Sequence, residues 1–145
     1  MLDRDWIAAH IPHQGTMCLL DSVVDWSPTT IRCVARSHVA ADNPLRADGR
    51  LGAACGIEYA AQAMAVHGAL LAGHDDPPRQ GYLTSVRAVT LHVARLDDLP
   101  GELVITAECL GGDRSILYRF AVHHGVDGLL EGRAAVILDA QAFGA

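Results

Sequence analysis

An α+β domain, with one long apolar helix wrapped by a curved antiparallel sheet, is the fold class this sequence predicts, on three observations. Between Leu51 and Ala72 nearly every residue other than Glu58, Tyr59, Gln62 and His67 is Ala, Leu, Ile, Val, Met, Cys or Gly, the all-round apolar pattern of a buried helix. Roughly six further segments are β-rich and bounded by turn residues. Only a curved antiparallel sheet can cover so much of one helix, because strands twist and a flat layer would leave much of it bare.

The elements follow in order. Asp3 to His10 reads as a short helix or turn that stops before Pro12. Met17 to Trp26 and Thr30 to His38 read as two strands joined at Ser27-Pro28, a hairpin. Val39 to Arg50, with Asp42-Asn43-Pro44 and Asp48-Gly49, is a loop, and the helix of about residues 52–72 follows it. His74-Asp75-Asp76-Pro77-Pro78 ends the helix. Tyr82 to Ala94, Glu102 to Leu110, Ile116 to His123 and Leu130 to Leu138 are strands, with turns at Gly111-Gly112 and Gly125-Val126-Asp127-Gly128. The order is β-β-α-β-β-β-β, with no repeat and no linker, so residues 1–145 make one domain.

Composition narrows the function. The chain carries a net charge of −6 and no basic cluster, so a nucleic-acid partner is not expected. Its apolar content of 50% is high, yet Glu58 interrupts the longest apolar run well short of the roughly 20 residues of a membrane span. The excess predicts an oligomer interface, a homodimer or larger, and no membrane partner. Asp3, Arg4 and Asp5 open the chain in place of a basic leader, which predicts a cytoplasmic protein. All 11 basic residues are arginine, and without lysine there is no Schiff-base chemistry, pyridoxal phosphate attachment or Walker-type phosphate loop. Cys18, Cys33, Cys55 and Cys109 are scattered among apolar neighbours and read as reduced core residues. Eight histidines lack metal-ligand spacing, so no metal site is predicted.

Glu58 and Gln62, four apart, share one face of the central helix. An ionised carboxylate on a mostly buried helix costs several kcal/mol unless it is paired or hydrogen-bonded, so this Glu is the leading functional candidate. The alternative is a narrow wet stripe of Glu58, Tyr59, Gln62 and His67 with no chemistry. Asp97-Asp98 reads as a solvated turn, His67 as a partly exposed residue late on the helix, and Arg79 and Arg87 as surface charges. Trp6, Trp26, Tyr118 and Phe120 read as core or interface.

Several strings in this order resemble the hot-dog fold and, within it, the 3-hydroxyacyl-acyl carrier protein dehydratases. Ile11-Pro12-His13-Gln14-Gly15 followed by Leu19-Leu20-Asp21-Ser22-Val23 resembles that family's Leu-Pro-His-Arg string and first strand. Asn43-Pro44-Leu45 falls at its Asn-x-Pro-Phe-like loop, and Glu58 with Gln62 matches its Glu-x-x-x-Gln helix. Val86-Arg87 and Leu99-Pro100-Gly101-Glu102 resemble its strand arginine and Pro-Gly-Asp turn. The similarity runs from about residue 11 to 138 and points to a divergent subgroup of bacterial polyketide or aryl-polyene-like pathways.

The resemblance implies elimination of water from a 3-hydroxyacyl thioester, carried by an acyl carrier protein or coenzyme A. It implies no cofactor, phosphopantetheine entering only as part of the substrate carrier. On this reading Glu58 is the acidic group, Gly56 offers a helix-start N–H and a close approach for the acyl chain, and Gln62 orients Glu58. The family's catalytic His, in a Gly-His-Phe-Pro-Gly segment, is replaced here by Gly49-Arg50-Leu51-Gly52. Arg50 cannot readily act as a base, though it can bind a phosphate or steady Glu58. The remaining candidates for the base are His38, ranked first because the 39–50 loop can fold it toward the helix start, and His13. Three classes stay open: a dehydratase, an acyl thioesterase using Glu58, and a non-catalytic subunit completed by a second hot-dog chain.

Overall fold

The computed structural model describes residues 1–72 and 82–137. The expected helix stop at His74 to Pro78 and Arg79 lie outside the described residues. Helix α1 spans Arg4–His10 and is started by Asp3, whose carboxylate accepts the Trp6 N–H, a side-chain N-cap. Strands β1 (Ser22–Trp26) and β2 (Thr30–Ala35) form the expected hairpin, and the Ser27 hydroxyl oxygen accepts the N–H groups of Thr29 and Thr30 at its turn. Helix α2 (Gly56–Ala72) follows the long loop, and strands β3 (Tyr82–Leu91), β4 (Leu103–Gly111), β5 (Ser115–His124) and β6 (Asp127–Ile137) complete the chain.

All six strands lie in one antiparallel sheet, ordered β1-β2-β4-β5-β6-β3. Alternate residues of its inner face, Ile31, Cys33 and Ala35 on β2, Leu103, Ile105 and Ala107 on β4, Tyr118, Phe120 and Val122 on β5, pack against α2. The helix presents Tyr59, Ala60, Ala63, Met64 and Val66 to this core. Small residues on α2 let the sheet close on it, and Gly56 is the tightest point, since a Cβ there would stand 2.6 Å from Leu130 Cδ2. The β4–β5 turn requires glycine at Gly112, which has φ 120° and whose Cβ would collide with the Ser115 carbonyl.

Several limits differ from the sequence expectation: β3 ends at Leu91, short of Ala94, β6 begins at Asp127, inside the expected turn, and three further limits differ for a local reason. β1 begins at Ser22, because the backbone of Met17 and Leu19 is bonded to the Gln62 amide instead of to a neighbouring strand. β2 ends at Ala35, where Asp21 takes the Arg36 N–H and Ser37–Val39 coils into a 3-10 turn. A second 3-10 turn, Ala53–Cys55, precedes α2 and shortens it. β3, at the end of the sheet, is bulged between Arg87 and Thr90, where Ala88 takes φ 54°.

Buried polar groups overturn two sequence readings. His67 is fully buried, not partly exposed: its Nε2–H donates to the Ser27 carbonyl at 2.9 Å, and its Nδ1 accepts the Tyr118 hydroxyl at 2.8 Å. Asp97-Asp98 is a turn with Asp98 exposed, as expected, but the Asp97 side chain is only 5% exposed: its carboxylate accepts the Leu51 N–H and two Arg95 groups, with Arg46 within 3.9 Å. The Arg95 guanidinium and the Leu51 N–H hold that carboxyl well below the usual range. The wet-stripe alternative also fails, since Tyr59, Gln62 and His67 are all fully buried. Of the aromatic residues, Tyr118 and Phe120 are core, while Trp26 is 43% exposed. The four cysteines are free thiols, and burial pushes Cys33 up to about 12. No helix among the described residues is long and apolar enough to cross a membrane.

A pH dependence of stability follows. Burial lowers the pKa of both His67 and His38 below the ordinary 6.5, so the unfolded chain binds protons that the folded chain refuses. Stability is therefore full above about pH 6.5 and falls as the pH drops below it, by up to about 1.4 kcal/mol per unit for each histidine. Urea midpoints at pH 7.5 and 5.5 check this; equal midpoints would contradict the neutral, buried state of both rings.

Candidate active site

The site lies where the first turn of α2 meets the segment between α1 and β1. Glu58 Oε1 stands 3.2 Å from His13 Nε2 and accepts a longer 3.4 Å contact from Gln62 Nε2. Both groups are partly open, with 26% of the His13 side chain and 34% of the Glu58 side chain exposed. Gln62 beneath them is fully buried, and its partners fix which way its amide points. Oε1 accepts the Leu19 N–H at 2.9 Å, and Nε2 donates to the Met17 carbonyl at 2.7 Å, which leaves one amide proton for Glu58.

These contacts set the charge on the pair. The hydrogen bond from His13 is the largest influence on the Glu58 carboxyl and lowers its pKa; burial opposes it, and Gln62 adds to the lowering. Glu58 is therefore a carboxylate at neutral pH. With Nε2–H donating to it, the neutral His13 ring has its lone pair on Nδ1, a buried atom without a hydrogen-bond partner among the described residues.

The structure separates the other sequence candidates from this pair. His38 is fully buried in the 3-10 turn after β2, and its Nε2–H donates to the Leu99 carbonyl at 2.8 Å. The 39–50 loop thus does not bring the ring to Glu58; the turn commits it to the β3–β4 connection. Arg50 is exposed in a turn closed by mutual backbone bonds with Ala47, and its side chain does not steady Glu58, whose described partners are His13 and Gln62. Gly56 does not offer a free amide, because its N–H bonds back to Ala53 and Ala54 in the preceding turn. The space its missing Cβ leaves is filled by the Leu130 side chain.

Sequence reasoning passed over Ser37 and gave Tyr59 only a place on the wet stripe; the two bond each other at 2.7 Å. The signal for Tyr59 was its place beside Glu58 on a buried helix, where a hydroxyl needs a partner. Ser37 carried no local signal. Among the described residues no group of His, Cys, Asp and Glu is placed to hold a metal ion. Cavities of about 650, 390 and 280 Å³ lie on the outer sheet face, beside β3 and β5, and beside Arg36, and neither His13 nor Glu58 lines any of them.

One long helix wrapped by a single antiparallel sheet, with a carboxylate and an amide on its first two turns, defines a hot-dog protein. Residues 6–143 match the ApeP-like family, described as ApeP dehydratase. The chain belongs to that family. Among solved structures it is similar to the dehydratase heterocomplex ApeI:P from Xenorhabdus doucetiae, with 23% identity, 94% of this chain and 92% of that chain covered, and a TM-score of 0.79. It is also similar to a mutant thioesterase from Pseudomonas aeruginosa, with 10% identity, 81% and 80% covered, and a TM-score of 0.59. A comparison with curated proteins gave no match.

Proposed function

We propose that this chain dehydrates 3-hydroxyacyl thioesters, borne by an acyl carrier protein or coenzyme A in fatty-acid, polyketide or aryl-polyene-type biosynthesis, with His13 as the base and Glu58 as its carboxylate partner. The 3.2 Å contact between these side chains is the observation that carries the reading. The imidazole removes the C2 proton through Nδ1, the nitrogen that Glu58 leaves free and that substrate binding must uncover, and the Glu58 carboxylate stabilises the imidazolium that forms. The imidazolium then returns the proton to the 3-hydroxyl as the C3–O bond breaks, so the products are the enoyl thioester and water. An ionised Glu58 is poorly suited to protonate the leaving group itself, which moves that task to His13.

A second element of the proposal is that a second hot-dog subunit, identical or different, completes the acyl pocket. β3 suits that role, because it ends the sheet and carries Leu83 and Leu91 more than 40% exposed. The ApeI:P structure is a dehydratase heterocomplex, which supports a partner of this kind.

The test incubates the purified chain, alone and mixed with a His-bearing hot-dog partner, with 3-hydroxyacyl and saturated acyl thioesters. Enoyl absorbance without thiol release supports the dehydratase; thiol release from both substrates would instead favour a Glu58-centred thioesterase. Glu58→Gln is expected to lower the enoyl rate by at least about a hundredfold while leaving the urea midpoint level or slightly lower, since the His13 and Gln62 contacts that favour the carboxylate are weakened. Turnover that survives this change would reduce Glu58 to a structural residue.

A further inference from the structure

Two residues of α2 reach the same stretch of backbone from two directions. Gln62 accepts the Leu19 N–H, while the Leu19 carbonyl accepts the Ser37 hydroxyl at 2.8 Å. A hydroxyl has one proton, so with Ser37 donating to Leu19 the 2.7 Å contact between Ser37 and Tyr59 is a donation by Tyr59. The Asn43 amide donates to the Tyr59 oxygen at 3.0 Å and to the Ser37 carbonyl at 2.9 Å, and its Oδ1 accepts the Leu45 N–H at 2.8 Å. The chain of protons therefore runs one way, from Asn43 through Tyr59 and Ser37 to Leu19. Tyr59 is fully buried and Asn43 is 6% exposed, while Ser37 is half-buried, so the bonds at the Tyr59 hydroxyl are the ones water replaces least readily.

We propose that Tyr59, Ser37 and Asn43 are positioning residues for the His13 and Glu58 pair, acting through Leu19 and Gln62 to hold the segment that bears His13 against the first turn of α2. The inference rests on the reading of that pair as the reacting site. None of the three side chains hydrogen-bonds His13 or Glu58, so they contribute by removing freedom from the pair. Gln62 alone would leave the segment pinned on one side of Leu19; the hydroxyl chain pins the other.

The test compares Tyr59→Phe and Ser37→Ala with Tyr118→Phe. The Tyr118 hydroxyl is also buried and bonds α2, but at His67, more than two turns beyond Glu58, so it controls for the mere loss of a core hydroxyl. Two quantities are read: kcat and KM for a 3-hydroxyacyl thioester, and the titration of the Glu58 side-chain carboxyl by ¹³C NMR in the protein without substrate. Tyr59→Phe and Ser37→Ala are expected to lower kcat by about ten- to a hundredfold with KM within about twofold. In both, the Glu58 titration should move up toward the ordinary carboxylate value, because the His13 hydrogen bond that lowers it is loosened. Ser37→Thr, which keeps the hydroxyl, should restore both readings, and Tyr118→Phe should change neither. An unchanged Glu58 titration in Tyr59→Phe and Ser37→Ala would overturn the proposal. Because that titration needs no turnover, failure of the dehydratase reading and failure of the positioning chain are told apart.

Discussion

Replacing His13 with alanine is expected to lower dehydration of a 3-hydroxyacyl thioester by about two to four orders of magnitude, while His38→Ala leaves the rate per folded molecule within about threefold. The contrast comes from where the two rings spend their hydrogen bonds. His13 faces Glu58 at a partly open rim, whereas His38 gives its proton to the Leu99 carbonyl inside the protein. Removing His38 strands that carbonyl and costs about 1–3 kcal/mol of stability, so rates must be normalised to the folded fraction. Steady-state enoyl formation at saturating substrate separates the cases. A large loss in His38→Ala with none in His13→Ala would transfer the role of base to His38 and require the 37–39 turn to open.

Gln62→Leu is expected to be the most destabilising single change on α2. The leucine fills much of the space but leaves the Leu19 N–H without its acceptor and the Met17 carbonyl without its donor. Each group left unpaired costs about 1–3 kcal/mol, so the loss is about 2–6 kcal/mol from a total that for domains of this kind is about 5–15 kcal/mol. A fall of the urea midpoint of that size, without a change in slope, is the expected result. A variant as stable as the natural protein would show that the amide does not clamp the 17–19 segment.

The fold was largely legible in the sequence because its determinants are local. The alternation of β2, β4 and β5, the Gly111-Gly112 turn and the apolar run of α2 each act within a few residues. Glu58 and Gln62 were legible for the same reason, being one helical turn apart. The ranking of His38 above His13 depended on the path of two irregular segments, and those paths are set by bonds between residues 43 or more apart, such as Gln62 to Leu19 and His38 to Leu99. Composition carries no trace of such bonds. His67 and Asp97 illustrate the same limit. Each has a polar side chain that suggests solvent, and each is buried only because Tyr118 with Ser27, or Arg95 with Leu51, supplies every hydrogen bond it needs. The Gly56 reading failed on a smaller scale, since a 3-10 turn placed before the helix uses up the amide that a bare helix start would leave free.

The bulge in β3 bears on solubility. A terminal strand with exposed leucines invites stacking of further chains into open-ended fibres. Here the edge is irregular twice: the register shifts between Leu83 and Ser85 and again between Arg87 and Thr90, where Ala88 turns into the left-handed region. A strand added along β3 finds only short regular stretches, which interrupts a growing ladder. The same irregularity that roughens the sheet thus acts as a stop against runaway assembly, at a position where straightening it would trade a defined complex for an aggregate.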